Sequence, residues 1–417
     1  MALLRQPLRR LTCALALGLA GCGGGGTYED DLATGLRWLE DEALRRQVLE
    51  SALVDPDNGY ARLRLERYRP ERWGALDAWW PRVAPAVAGA GAPAAFEPAV
   101  GAPDVLDEAT LTALGEAAFT RYPLQLEARL AAALTADPAA CGFEVGPDGV
   151  VEGVVWVELP DGPQPGLTCA ACHGGGPGLG RANPALDLAA ALTGTCGVPS
   201  GWGPGRVDVT ADGVENPTAI PDLRPVRMQA FLHRAGSLRN DRLVLAMRTE
   251  TLILTSLGAS VRPPPVVALG LSWWMWGLAD GLPPTPEDGA EVFTARCGGC
   301  HDGPGGAGQL APLSAGTDMA VLTSPERGTG RARVPALAGL GDRAPLFSGG
   351  AARDLDGVVG PQRGGAGPPE PGRAPRGGAR RVASAPQPAL TASPARSRPS
   401  ARATWRTSST AWWNCAG

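Results

Sequence analysis

The sequence predicts a mainly α-helical protein, with two similar helical units in tandem, a β-hairpin inserted into the first, and a helical segment ahead of both. Three observations lead to this. The pentapeptide Cys-x-x-Cys-His occurs twice, at Cys169–His173 and Cys297–His301. Each copy follows a Gly-x-x-x-Phe segment (Gly115–Phe119 and Gly289–Phe293) and precedes an [Ile/Val]-Pro-x-Leu segment (Ile220–Leu223 and Val334–Leu337). Between these landmarks apolar residues recur at three- and four-residue spacing, the period of helices with one buried face. Pro221 lies 48 residues after His173, but Pro335 only 34 after His301. The order of parts is therefore shared while loop lengths differ, as in a duplicated unit rather than a regular array.

C-x-x-C-H is the attachment signature of a c-type haem. Two thiols one helical turn apart can each form a thioether to a haem vinyl group, and the next residue sets an imidazole under the iron. A four-thiolate zinc site and a redox dithiol are the competing readings. The chain has only 3 His, and two of them directly follow a Cys-x-x-Cys. Random placement would do this about once in 20,000 trials, so haem is the specific reading. Cys169, Cys172 and His173, with Cys297, Cys300 and His301, are expected to hold two covalently bound haem c groups, His173 and His301 being iron ligands. The units are then class I cytochrome c-like haem domains.

Taken in order, residues 1–21 have the layout of a secretory signal, with Arg5, Arg9 and Arg10 ahead of an apolar run from Leu11 to Leu19. Leu19-Ala20-Gly21-Cys22 is similar to a bacterial lipobox, and Gly23 to Gly26 would follow as a tether. Acylated Cys22 would hold the chain at a lipid bilayer. Gly23 is not the Asp that retains such proteins in the inner membrane, which favours the outer membrane, facing the periplasm. No internal run reaches the ~18 apolar residues of a membrane span.

Residues 22–103 comprise that tether, a helical segment and a linker. Leu32, Leu36, Leu39, Leu44, Val48, Leu49 and Leu53 recur at helical spacing. Asp55 to Gly59 is a turn, Trp73, Trp79 and Trp80 read as packing residues, and 85–103, rich in Ala, Gly and Pro, reads as the linker.

The first haem domain is assigned to 104–283. It opens on a helix from Thr110 to Leu134, broken or kinked at Pro123. The hairpin pairs Phe143–Val145 with Val150–Glu158 across Gly146-Pro147-Asp148-Gly149. Short and long helices follow at 184–191, 240–257 and 266–282, the last carrying Trp273, Trp274, Met275 and Trp276. The second domain, 284–359, has its leading helix directly before Cys297.

From Gly360 the character changes. No Asp or Glu follows Glu370, and Pro, Arg, Ala, Ser and Gly dominate. A disordered tail is one reading of 360–417; a shifted reading frame is the other. Trp has a single codon, so Trp412-Trp413-Asn414-Cys415, shifted by two bases, must encode [Leu/Val/Met]-Val-Glu-Leu. With G or C at free third positions and AGG for Arg406, the same frame from Ser400 reads Gly-Pro-Arg-Asp-Leu-Glu-Asp-Leu-Leu-Asp-Gly-Val-Val-Glu-Leu. That is an amphipathic helix, of the kind expected to close a haem domain, and it places the shift between Val359 and Gly367.

Of the 9 Cys, Cys13 would leave with the signal, Cys22 would carry lipid, four would hold haem, and Cys415 belongs to the tail. Cys141 and Cys196 remain and are expected to pair as a disulfide, with two buried free thiols as the alternative. The charge, −4, implies no nucleic-acid partner. The sequence contains no Lys, so all 38 basic residues are Arg, as a GC-rich gene would produce.

The two haem motifs, the repeated [Ile/Val]-Pro-x-Leu segments, Phe231-Leu232-His233-Arg234-Ala235-Gly236 and Ala344-Pro345-Leu346-Phe347-Ser348-Gly349-Gly350 resemble the dihaem cytochrome c peroxidase superfamily over about Leu111 to Val359. The chain departs from that family at Ser348, where the family has His, and in lacking a Met after that segment. His233, Met228 and Met247 are candidates for the sixth ligand of the first iron, and Met319 for the second; Met275 reads as packing. No distal acid–base group is identifiable, so no catalytic residue is assigned. The expected function is electron transfer by a dihaem c-type cytochrome lipoprotein in the cell envelope. Its redox partner would be another cytochrome or a small electron carrier. Peroxide reduction by a dihaem peroxidase or related haem oxidase is the alternative.

Overall fold

The computed structural model describes residues 28–57, 78–98, 100–101, 103–174, 178–208, 217–256, 261–284, 287–312, 322–323, 328–342, 346–347, 350 and 352–358. Cys22, Met319, Ser348 and the whole of 360–417 lie outside them.

Helices α1 (Tyr28–Glu40) and α2 (Glu42–Ala52) form the expected helical segment. The Asp41 carboxylate accepts from the Ala43 and Leu44 amides at 2.9 and 3.0 Å, capping two N–H groups that the first turn of α2 leaves unpaired. Trp38 and Leu49 enter the same apolar core as Phe119 and Met247. The Val54 amide donates to the Ser237 carbonyl at 3.1 Å. The segment is thus built into the first unit.

Strand β1 (Val83–Val87) falls partly within the stretch read as a linker. Helix α3 (Glu108–Arg121) begins at a capping box: the Thr110 amide donates to Asp107 at 2.8 Å, and the Asp107 amide donates to the Thr110 hydroxyl at 2.9 Å. The bond from the Thr110 amide holds the Asp107 carboxyl below the ordinary carboxylate range. The predicted helix to Leu134 does stop before Pro123, but the chain first makes strand β2 (Gln125–Leu126) and only then a short α4 (Leu130–Thr135).

The predicted hairpin turn is present, with the Gly146 amide donating to the Val150 carbonyl and the Glu152 amide to the Glu144 carbonyl, each at 2.8 Å, but it is the minor part of the pairing. Strand β3 (Val150–Val157) meets the 143–145 stretch at a single bridge, Val145 to Val151. Its main partners are β1 and β4 (Gln164–Leu167), in an antiparallel sheet ordered β1-β3-β4-β2. From Gly153 onward every residue of β3 is buried. A strand covered on both faces loses the alternation that marks a half-exposed hairpin.

The sheet carries the first motif. Helix α5 is Cys169–His173 itself, following β4 directly. Gly153, in β3, has φ +75°, and a Cβ there would overlap the Ala171 backbone. Only glycine lets the strand and the motif helix approach this closely. Helix α6 (Leu188–Thr193) lies a few residues later than expected because Asp187 caps it, accepting from the Ala190 amide at 3.1 Å. Strands β5 (Arg206–Val207) and β6 (Thr218–Ala219) pair with each other, as do β7 (Phe231–Leu232) and β8 (Leu238–Arg239).

Helices α7 (Arg242–Ser256) and α8 (Pro265–Gly277) complete the first unit. Helix α8 crosses α3 where both carry glycine. A Cβ on Gly115 would lie inside the Gly270 carbonyl and 2.7 Å from the Trp274 Cβ. One turn on, the Phe119 and Trp274 rings pack at a 46° tilt with centroids 4.4 Å apart.

Cys141 and Cys196 are joined by a disulfide with Cα atoms 4.6 Å apart, closing a loop of 55 residues that contains the first motif. Cys196→Ser, with Cys141→Ser beside it to leave no lone thiol, is expected to cost about 2–4 kcal/mol. The check is a lower urea midpoint of the non-reduced protein; an unchanged midpoint would contradict it.

The stretch expected as the second unit opens on α9 (Ala290–Arg296), with β9 (Leu310–Pro312) paired to β10 (Arg331–Arg333). It joins the first through the β7–β8 turn. The Arg333 amide donates to the Arg234 carbonyl at 2.8 Å, and the Thr329 hydroxyl to the Ala235 carbonyl at 2.6 Å. Among the described residues no helix is long and apolar enough to cross a membrane.

Candidate functional site

In the first motif, one short helix presents both thiols and the imidazole. Loop residues fold back over it: the Gly180 amide donates to the His173 carbonyl at 2.7 Å, and the Asn183 amide to the Cys172 carbonyl at 2.9 Å. Burial pushes the Cys169 and Cys172 thiols up to about 12 and His173 down to about 4. Thiols held protonated at neutral pH are poor redox dithiols and poor zinc ligands until something reacts with or deprotonates them. Among the described residues no group of three or more His, Cys, Asp or Glu is arranged to hold a bare metal ion.

His173 Nδ1 is buried without a hydrogen bond of good geometry. The Pro221 carbonyl lies near enough to oppose burial by favouring the protonated ring, and the Asp222 carboxylate acts in the same direction. The repeated [Ile/Val]-Pro-x-Leu segment thus stands beside the motif histidine in the first unit. An Nδ1–H directed at a carbonyl would leave Nε2 bare for a metal.

Sequence reading missed the pair that holds this segment. Arg224 grips Asp222 with Nε 3.1 Å from Oδ1 and Nη2 2.6 Å from Oδ2, and the two side chains are 8% and 0% exposed. Gly339, in the second unit, sits against the same guanidinium. Asp222→Ala leaves that guanidinium buried without its carboxylate and is expected to cost about 3–5 kcal/mol. A urea midpoint within error of the parent chain would contradict this role.

The second motif follows α9 without a break in hydrogen bonding. The Cys297 amide donates to the Phe293 carbonyl at 2.7 Å and the His301 amide to the Cys297 carbonyl at 2.9 Å. His301 Nδ1 lies 2.5 Å from the Gly306 carbonyl. That carbonyl can only accept, so Nδ1 is the donor and Nε2 is the ring nitrogen left to face a metal. Val334-Pro335-Ala336-Leu337 lies alongside: the Leu337 amide donates to the Gly305 carbonyl at 2.9 Å, in the loop after His301. Cys297 and Cys300 are exposed.

The sixth-ligand candidates are placed differently. His233 sits at the joint between units with φ +60°. Its Nδ1 is 2.8 Å from the Ser237 hydroxyl, and its Nε2 accepts from Arg248 Nε at 2.5 Å. Both ring nitrogens are therefore engaged by protein groups. Met247 is 1% exposed, within the helical core. Met228 packs against Gly305 of the second unit. Met275 is buried in α8, as a packing residue would be. A cavity of about 420 Å³ opens at the end of α8 beside Trp273, Trp274, Trp276 and Arg242. None of the motif residues lines it.

The donor sets fit covalent haem: two thiols and one imidazole at i, i+3 and i+4, with His301 Nδ1 turned to a backbone carbonyl. Residues 286–385 match the family model described as Cytochrome c. That stretch contains Cys297, Cys300 and His301, and a cytochrome c domain implies covalently bound haem c with iron and haem-based electron transfer. The match runs past Val359 to residue 385, beyond the boundary drawn from composition. No curated protein and no solved structure matched the chain.

Proposed function

We propose that the chain is a dihaem c-type cytochrome: a lipoprotein anchored through Cys22 at the bacterial cell envelope, passing electrons to or from another cytochrome or a small carrier. The observation that carries the proposal is that the chain contains the same haem-holding arrangement twice. Cys169, Cys172 and His173 stand beside an [Ile/Val]-Pro-x-Leu segment, and so do Cys297, Cys300 and His301. The α3–α8 crossing at Gly115 and Gly270 supports reading the first unit as a complete haem domain. When bound, each iron supplies a one-electron couple. The chain's residues would set its potential: His173 and His301 as the residues holding the iron, the Gly306 carbonyl by drawing on the His301 Nδ1–H, and, at the first motif, burial by excluding water.

Peroxide reduction, the second reading, rests on one observation. His233 directs both nitrogens at Ser237 and Arg248, so in this placement it does not fill the sixth position of the first iron. The oxidised spectrum of the haem-loaded protein, combined with a peroxide assay, separates the two. Electron transfer predicts low-spin bands and no turnover; a high-spin band with turnover would replace it with the enzyme.

A further inference from the structure

The cavity at the end of α8 belongs to neither motif, and its walls are largely aromatic. At about 420 Å³ it has the size of a small-molecule site. Three indoles line it, those of Trp273, Trp274 and Trp276. All three are held in place. The Trp274 ring packs on Phe119 with centroids 4.4 Å apart. The Arg242 guanidinium lies 4.5 Å from the Trp273 ring centroid and 5.8 Å from that of Trp276. Walls fixed beforehand lose little freedom when a flat ring enters between them.

The formal charges on the walls cancel. Arg227 and Arg242 stand against Glu108 and Asp280. Arg227 Nη2 lies 2.5 Å from Asp280 Oδ1, so that pair answers itself. Arg242 would repel a cation entering the cavity, and Glu108 an anion. A charged ligand would also give up its water on entry. An uncharged ring with polar edges avoids both costs. The Trp273 Nε1–H is buried without a hydrogen-bond acceptor, and the Thr112 hydroxyl lines the same cavity. Both can donate, so the matching ligand edge carries acceptors such as carbonyl oxygens.

The cavity is one side chain away from the first motif. Leu278 lines it, and a Cβ on Gly180 would lie 2.6 Å from Leu278 Cδ1. The Gly180 amide is the one bonded to the His173 carbonyl.

We propose that this cavity binds a planar, uncharged aromatic carbonyl compound, the chemistry of a quinone. The site stands on the cavity alone; only its role, as the seat of the small electron carrier, rests on the electron-transfer reading.

The test is titration calorimetry on the full-length, haem-loaded chain. The probe is 2,3-dimethyl-1,4-naphthoquinone, whose substituted ring does not add thiols. Naphthalene-1-carboxylate and a trimethylammonium naphthalene serve as charged rings of similar size. The proposal expects one saturable site for the quinone, with a Kd of about 10–100 μM, and affinity at least about 10-fold weaker for both charged rings. Trp276→Ala, which removes the least buried of the three indoles, is expected to weaken quinone binding about 10-fold. Gly277→Phe is the second arm. Gly277 lines the cavity, its backbone is ordinary helix at φ −72°, and a Cβ there meets nothing within 4 Å. The added ring is expected to fill the space and abolish binding with Tm unchanged. Three results would overturn the proposal: no saturable quinone binding, a charged ring that binds as tightly or tighter, or quinone affinity unchanged in both variants. Haem content, read separately as a pyridine haemochrome, keeps the two readings apart. A chain that binds quinone but holds no haem retains the site and loses the role; a chain with two haems and no quinone site does the reverse.

Discussion

Cys169→Ala with Cys172→Ala is expected to halve the haem content of the mature protein, from two groups per chain to one, leaving the group at Cys297 and Cys300 in place. Both vinyl attachments of the proposed first haem would depend on those thiols, and Cys141 and Cys196 could not substitute, since they are tied to each other. The reciprocal pair, Cys297→Ala with Cys300→Ala, is expected to remove the other group. Here the first unit should remain folded, because Leu111, Phe119, Met247 and Trp273 form its core without the second motif. His173→Ala is a different lesion: the thioethers remain while the iron loses its proximal base. It should leave haem mass unchanged and alter the spectrum. The measurement is intact mass alongside a pyridine haemochrome assay, and a double cysteine variant that keeps two groups per chain would contradict the assignment.

The second large effect is expected at the helix crossing. Gly115→Val would drive a branched side chain into the Gly270 backbone and Trp274. Backbone cannot rotate aside as a side chain can. The cost should exceed the usual overpacking penalty and reach at least about 3 kcal/mol, a fall in Tm of about 6–12 °C. Gly277→Ala, where a Cβ meets nothing within 4 Å, is the control and should be nearly neutral. Thermal unfolding of the two variants beside the parent chain decides it. Equal midpoints would mean that α3 and α8 do not cross as described.

What was legible in the sequence follows from how local each constraint is. Thioether chemistry fixes the thiols and imidazole within five residues, so Cys169–His173 and Cys297–His301 could be read directly. Helical periodicity is nearly as local: Leu111, Leu114, Ala118 and Phe119, at helical spacing within the helix expected from Thr110, are all buried. The sheet was misread because the partner of β3 lies far upstream. Within Val83–Val87, the part from Pro85 onward reads as linker. In the structure β1 is an edge strand, and its register slips between Pro85 and Val87, which is where a sheet tolerates proline. The Asp222–Arg224 pair lay in a segment already singled out, but its burial depends on the rest of the unit. His233 drew notice as the only histidine outside a motif; that Ser237 and Arg248 hold its ring is a tertiary fact with no periodic signature.

The central claim is that one chain holds two haem c groups through four cysteines and two proximal histidines. The most direct test is the intact mass of the mature chain, made in a host with the haem-attachment machinery and compared with its peptide mass. The account predicts an excess of two haem groups beyond any lipid, lost one at a time with each pair of cysteines. A mature chain whose mass holds no haem, or one haem that survives removal of Cys297 and Cys300, would contradict it.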